Sequence, residues 1–343
     1  MINLISRQAS TCGGRGPYKV FRNLVKGLER IGYPFVVNRH PTAAARLWIQ
    51  DDVQALRYMH KPGVYPVVGP NLFVMPSDVD PAIDLSGAIY VQPCDWAARV
   101  WHQQGFRDCP IASWAVGIDT DVFAPAALAS SPRSVLVYHK LRDPQELVML
   151  LEVVRRHGLL PKLVLYGAYD EEEYQRLLSE VCFVVWHGGA ESQGIALLEA
   201  LACDVPVLVC DVQSLRQTRG GYPFMPDVYD MHVTAAPYFD DRCGIRIRNW
   251  SELDDAVVQM VERREAFRPR EFVLESLSLE KQAHEFVDLW SPWGLTYETG
   301  LREGLRNGRR WTGPPLSRRI LIRMRRRGAT TRPQSSAWPA SRA

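Results

Sequence analysis

The sequence predicts an α/β protein of two parallel-sheet domains, and three observations predict it. Short apolar strands alternate with amphipathic helices from residue 2 to residue 290, the pattern of a parallel sheet covered by helices on both faces. A small, polar, proline-bearing stretch at 124–133, APAALASSPR, interrupts that alternation and fits an interdomain linker. Length agrees, because 343 residues with 46% hydrophobic content suffice for two cores of ordinary domain size. The expected division is a first domain at 1–125, a linker at 126–133, a second domain at 134–290 and a basic, disordered tail at 291–343.

In the first domain the expected strands are 2–5, 35–37, 47–49, 65–68, 72–75, 88–92 and 111–116, with helices at 18–31 and 95–104. The first helix is the clearest: Val20, Phe21, Leu24, Val25, Leu28 and Ile31 share a face, Lys19, Arg22, Lys26 and Arg30 lie mostly opposite, and Gly32 ends it. The second domain restarts with strand 134–138, helix 144–156, strand 162–165 and helix 170–178. Then come strand 181–186, helix 195–203 and strand 205–210. Helix 251–264 follows with Ser251 as its N-cap, and helix 279–289 aligns Ala283, Phe286, Val287 and Trp290 in one stripe. No internal repeat or heptad array is visible.

The stretch 186–211, WHGGAESQGIALLEALACDVPVLVCD, carries the chemistry. A strand, a glycine-broken loop, a helix and a second strand follow one another there. In a parallel sheet such a loop lies beyond the carboxyl end of the strand, where ligands bind, and free amides at the helix start suit anionic or hydroxyl-rich groups. Glu191 sits on the loop and Glu199 inside the helix. Each carboxylate can accept hydrogen bonds from a pair of neighbouring sugar hydroxyls, and Gly194 lets the backbone come close. Leu197, Leu198, Ala200, Leu201 and Ala202 leave Glu199 little polar face, and a buried glutamate requires a partner.

This block resembles the donor site of GT-B glycosyltransferases, specifically the retaining family 4-like group, whose signature is E-x-F-G-x-x-x-x-E. Here it reads Glu191, Ser192, Gln193, Gly194, Ile195, Ala196, Leu197, Leu198, Glu199, with Gln193 replacing the usual aromatic. VGIDTDVFAP at 116–125 resembles the family's N-G-V-D-x-x-x-F-x-P segment, with Gly117, Asp119, Phe123 and Pro125 in register. Gly13, Gly14 and Gly16 follow the opening strand, where the family keeps a glycine-rich acceptor-side and phosphate loop. No G-x-G-x-x-G is formed, since Lys19 stands three beyond Gly16. The resemblance covers residues 1–290.

It implies two Rossmann-like domains facing across a cleft, a last helix that crosses back to the first domain, and sugar transfer from a nucleotide-diphosphate sugar to a glycan, lipid or other acceptor. Glu199 would hold the ribose and Glu191 the transferred sugar. Lys140 and Arg142 in YHKLRDP would grip the diphosphate, Lys140 matching the family's first cation and Arg142 standing in for its second. Ser192, Gln193 and Gly194 would complete the donor loop, and His187 would touch donor phosphate. No cofactor or metal is implied. HGGAES is also similar to inverting GT-B transferases, which place a glutamate eight residues after the histidine, a position occupied here by Ile195. Sugar-nucleotide epimerases and non-catalytic sugar-binding modules on the same scaffold stay open, as does the choice among His40, His60 and His102 for a first-domain histidine near the sugar.

Other chemistries have less support. Asp78–Asp80 and Asp119–Asp121 both read D-x-D, a metal-binding pattern, yet the first pair stands in a proline-flanked loop where aspartates serve turns and the second in the interdomain block. H-E-x-x-H and G-x-S-x-G are absent. Seven scattered cysteines, never spaced C-x-x-C, fit reduced thiols in a cytoplasmic compartment. No apolar run approaches the ~18 residues of a membrane span, and the start lacks the pattern of a signal peptide. Residues 301–343 hold twelve arginines and one acid, Glu303, leaving 29 basic against 37 acidic side chains in the first 300 residues. The tail is expected to be solvated; its functional alternative is weak contact with an anionic inner-membrane surface through Arg318, Arg319, Arg323 and Arg325–Arg327. No specific nucleic-acid partner is expected.

Overall fold

The alternation resolves into two all-parallel sheets in a computed structural model that describes residues 1–11, 16–126, 133–219, 228 and 230–306. The first sheet holds β1 (Ile2–Ile5), β2 (Phe35–Val37), β3 (Arg46–Ile49), β4 (Tyr65–Val68), β5 (Ile89–Gln92) and β6 (Ile111–Ser113), ordered β2-β1-β3-β4-β5-β6. Its helices are α1 (Gly16–Arg30) and α2 (Asp95–Gln103). The second sheet holds β7 (Ser134–Lys140), β8 (Leu160–Leu165), β9 (Phe183–Gly188), β10 (Val207–Cys210) and β11 (Gly244–Ile247), ordered β11-β10-β9-β7-β8. Helices α3 (Pro144–Arg156), α4 (Glu171–Ser179), α5 (Ile195–Ala202) and α6 (Leu253–Arg263) belong to it, and α7 (Pro269–Ser276), α8 (Leu279–Asp288) and α9 (Tyr297–Arg306) follow.

Each sheet reverses its direction of travel once. The chain steps from β1 out to β2 and then back past β1 to β3; it steps likewise from β7 to β8 and back to β9. Connections leaving neighbouring strands in opposite directions open a crevice at their carboxyl ends. Those ends are Ile5 beside Ile49 in the first sheet and Lys140 beside Gly188 in the second. The halves also share apolar packing, since Cys94, Trp96 and Val100 join the cluster that contains Leu136 and Trp186.

Helix α8 returns to the first domain and lies on α1, so closely that a β-carbon at Gly27 would sit 2.6 Å from the Leu279 carbonyl oxygen. The chain continues there. The expected start of the tail at residue 291 is corrected by α9, which docks on the first domain. Arg46 of β3 is fully buried and donates to Glu303, the Thr296 carbonyl and the Thr299 hydroxyl at 2.9, 3.0 and 2.8 Å. A guanidinium in that position is costly without partners, and the C-terminal segment supplies them. Residues 307–343, with the arginine cluster, lie outside the described residues.

Residues 72–75 form no strand: the Asp78 carboxylate accepts the Val74 and Met75 amides at 3.2 and 2.9 Å, and the Val74 carbonyl accepts the Trp101 indole at 3.0 Å. Ser251 lies in a short 3-10 turn rather than at an N-cap, whereas Ser278 caps α8 by accepting the Lys281 amide. Among the described residues no helix is long and apolar enough to cross a membrane.

Candidate active site

Strand parity decides what the second-domain crevice contains. Successive side chains on a strand face opposite sides, and the β7–β9 register pairs Tyr138 with Trp186, His139 with His187 and Lys140 with Gly188. Tyr138, Trp186 and Lys140 face the cleft, and the histidines face away. His187 is fully buried, its Nδ1 3.0 Å from that of His139 and its Nε2 3.2 Å from Glu146. Burial, reinforced by the Arg142 guanidinium, pushes its imidazole down to about 4 despite the Glu146 hydrogen bond, so it is neutral at pH 7. His187, expected to touch donor phosphate, does not line the interdomain cavity.

Leu141 then turns the chain. Its φ of 53° is left-handed, which costs a non-glycine residue roughly 1–2 kcal/mol. The reversal leaves Lys140 in the cleft and sends Arg142 back into the domain. There Arg142 donates to the Gly188 and Cys210 carbonyls at 3.3 and 3.0 Å and pairs with Glu146 at 2.9 Å, tying together the ends of β9 and β10. Arg142, expected beside the diphosphate, thus braces the sheet edge and does not line the interdomain cavity.

Between the domains lies a cavity of about 230 Å³ whose wall includes Lys19, Asn71, Lys140, Tyr166, Glu191 and Gly194. Both Glu191 oxygens meet the Lys140 ammonium, at 2.8 and 2.9 Å, and Lys140 lies 4.3 Å over the Tyr166 ring. Burial pushes the Glu191 carboxyl above its ordinary value, against the pull of Lys140. Tyr138 stacks on Trp186 at 4.1 Å, and its hydroxyl is 3.1 Å from that of Tyr169, so the floor is an aromatic shelf. Ser192 stands exposed at the lip, and Gly194, left-handed at φ 75°, starts α5. The Ile195 and Ala196 backbones line the cavity beside it.

Lys19, expected opposite the apolar face of α1, instead reaches across the interface, its ammonium meeting Glu199 at 2.5 Å and Glu171 at 3.3 Å. Glu199 is buried, and its Oε2 has no hydrogen-bond partner among the described residues. Burial outweighs Lys19 and pushes the carboxyl up to about 7. The only available signal was position: a lysine in the first turn of a helix that follows a glycine loop. Gly16 opens that helix and lines the cavity; Gly13 and Gly14 lie outside the described residues.

Gln193 forms a clamp between the domains. Its side-chain amide donates to the Val116 carbonyl at 2.7 Å and accepts the Val116 amide at 3.2 Å, while the Trp96 indole donates to the Glu191 carbonyl at 2.9 Å. The donor loop is thereby fixed to the first domain. Just beyond Val116, Gly117 is packed so tightly that a β-carbon would sit 2.6 Å from the Leu279 α-carbon. Asp119 takes Lys26 and Arg30 at 2.5 and 3.0 Å, and Asp121 takes Arg30 at 2.7 Å. The D-x-D aspartates are thus engaged as ion-pair partners or, for Asp78 and Asp80, as turn acceptors. His40, His60 and His102 are exposed and none lines the cavity.

No family model and no curated protein matches the chain. Solved structures do. An Anabaena HepE structure in complex with UDP-glucose superposes with a TM-score of 0.52 at 12% identity, covering 85% of this chain and 99% of that one. The lipopolysaccharide outer core galactosyltransferase WaaB gives 0.51 at 12% identity over 85% and 99%. Sucrose-phosphate synthase from Thermosynechococcus elongatus gives 0.50 at 14% identity over 85% and 98%. With two parallel sheets facing across a cleft and a C-terminal helix returning to the first, the chain has the GT-B fold.

Proposed function

We propose that this chain is a glycosyltransferase that draws a nucleotide-diphosphate sugar into the interdomain cavity and transfers the sugar with retention and without a metal. The observation that carries this reading is the convergence of Lys140 and Glu191 from one domain and Lys19 from the other on a single cavity at the sheet ends. The diphosphate exchanges into the pairing that Lys140 now makes with Glu191, which frees that carboxylate for the sugar hydroxyls. Positive charge from Lys140 and Lys19, with the first α5 amides, then stabilises the departing nucleotide as the glycosidic bond breaks. The acceptor oxygen bonds to the same face of the anomeric carbon and passes its proton to the departing phosphate oxygen, so no side-chain nucleophile is required. Glu199, buried behind Lys19 and outside the lining of the cavity, keeps an Oε2 without a partner among the described residues, and that oxygen is the one we assign to the ribose once the donor draws Lys19 away. That His187 faces away from the cavity favours this route over the H-x-G inverting one, and two lysines in the cleft support metal independence. The HepE complex with UDP-glucose supports a nucleotide sugar as donor.

The test is incubation with a panel of nucleotide sugars, with and without lysate-derived acceptors, following free nucleoside diphosphate in the presence of EDTA. Release from one donor, abolished in Lys140→Ala, is the expected result. Donor isomerisation without release would make the chain an epimerase, and binding without turnover a sugar-binding module.

A further inference from the structure

A second cavity, of about 410 Å³, opens where β1, β2 and β3 end on the first domain. Its wall carries three guanidinium groups, Arg7, Arg39 and Arg57, and one carboxylate, Asp52. Asp52 pairs with Arg7 at 3.2 Å. Among the described residues no acidic side chain pairs with Arg39 or Arg57; Arg57 donates to the Tyr58 hydroxyl at 2.9 Å and lies 4.8 Å over that ring. This is a local positive excess on a chain whose first 300 residues hold 29 basic against 37 acidic side chains.

The cavity is also built. Asn38 stands left-handed at φ 48° and exchanges two hydrogen bonds of 2.9 Å with the Ser6 backbone, one to its amide and one to its carbonyl. That turn, which asparagine tolerates through its own side-chain hydrogen bonds, joins the ends of β1 and β2 and sets Arg39 on the rim. Ser6 donates its hydroxyl to Gln50 at 2.7 Å, and Gln50 donates to the Pro17 carbonyl and the Asn71 side chain at 2.8 and 2.9 Å. Pro17 and Asn71 line the interdomain cavity. One buried glutamine therefore connects the walls of the two cavities.

We infer that the arginine-lined cavity receives the acceptor, and that this acceptor is a sugar-sized molecule bearing an oxyanion, phosphate or carboxylate, held by Arg39 and Arg57. Guanidinium forks match both anions through paired, charge-assisted hydrogen bonds. Calling the ligand an acceptor rests on the transferase reading; the anion site itself does not.

Calorimetric titration of the full chain with glucose 6-phosphate, glucuronate and glucose tests the site. In the wild type one of the two anionic sugars binds at least roughly tenfold more tightly than glucose, and which one it is separates phosphate from carboxylate. Arg39→Gln/Arg57→Gln abolishes that preference, Arg39→Lys keeps most of it, and nucleoside diphosphate affinity is unchanged in both variants. Equal binding of the three sugars by the wild type, or a preference that survives the double substitution, overturns the inference. A preserved anionic preference in a chain that binds no nucleoside diphosphate overturns the transferase reading instead and leaves the anion site standing.

Discussion

The two crevices at the sheet reversals manage charge in opposite ways. In the second-domain crevice the charges of the described residues already have partners: Lys140 holds Glu191, and Lys19 bridges Glu199 and Glu171. In the first-domain crevice Arg39 and Arg57 face solvent, with no acid paired to either among the described residues. Depth explains the difference. A buried charge must be matched before any ligand arrives, so a ligand entering the interdomain cavity exchanges partners. An exposed guanidinium is hydrated at little cost and can wait. Donor recognition in such a site depends on how well the ligand replaces an existing ion pair, whereas recognition at the arginine cavity depends on supplying the missing anion.

The strongest way to break this comparison is to remove one member of a matched pair. Lys140→Ala should lower kcat/KM by roughly 10²–10³, the usual cost of losing one transition-state electrostatic partner, and steady-state assays with donor in excess measure it. A loss below about threefold would mean the diphosphate does not rely on Lys140. Next in size, Glu199→Ala should weaken nucleoside diphosphate binding about tenfold, in line with ~1.5–3 kcal/mol for a charge-assisted hydrogen bond. Glu191→Gln should leave that affinity intact while depressing turnover of the whole donor. Calorimetry on both variants separates the roles, and equal affinities in wild type and Glu199→Ala would remove the ribose assignment.

The matched pairs also predict a pH dependence. Glu199, lifted by burial from 4.5 to about 7, keeps a proton in the folded chain that the unfolded chain releases. Stability therefore falls as pH rises through the window from 4.5 to about 7 and is recovered on acidification. Urea midpoints recorded across that window should show a downward slope that Glu199→Gln removes; identical profiles would show that Lys19 compensates fully. The smallest expected effect concerns the turn between the two cations. Asparagine tolerates the left-handed region better than leucine, so Leu141→Asn should stabilise the chain by about 0.5–1 kcal/mol. Turnover should not change, and a fall in activity would show that the strain itself positions Lys140.

What the sequence made legible follows from what it encodes locally. Alternating strands and helices are carried by short-range pattern, and the structure has them; the return of α8, which only the resemblance implied, is present as well. Arg142 lies off the cavity because of a left-handed Leu141, which leaves no mark in composition. His187 lies off it by strand parity with Trp186, which the sequence does carry. Lys19 meets Glu199 across 180 positions, and no local period encodes such a pair. Strand β11 escaped because GIRI carries an arginine and is four residues long. Helix α9 escaped because a tail rich in arginine hides that Glu303 answers the buried Arg46.

The Gln193 clamp gives the donor loop two owners. By covalent connection the loop belongs to the second domain, but its side-chain and backbone hydrogen bonds to Val116 and Trp96 attach it to the first. Any separation of the domains must then either pull Glu191 away from Lys140 or tear the loop from Val116. Opening that keeps the Val116 bonds separates Glu191 from Lys140, whereas opening that breaks them leaves that ion pair intact, so the state of one ion pair reports which side of the loop gives way.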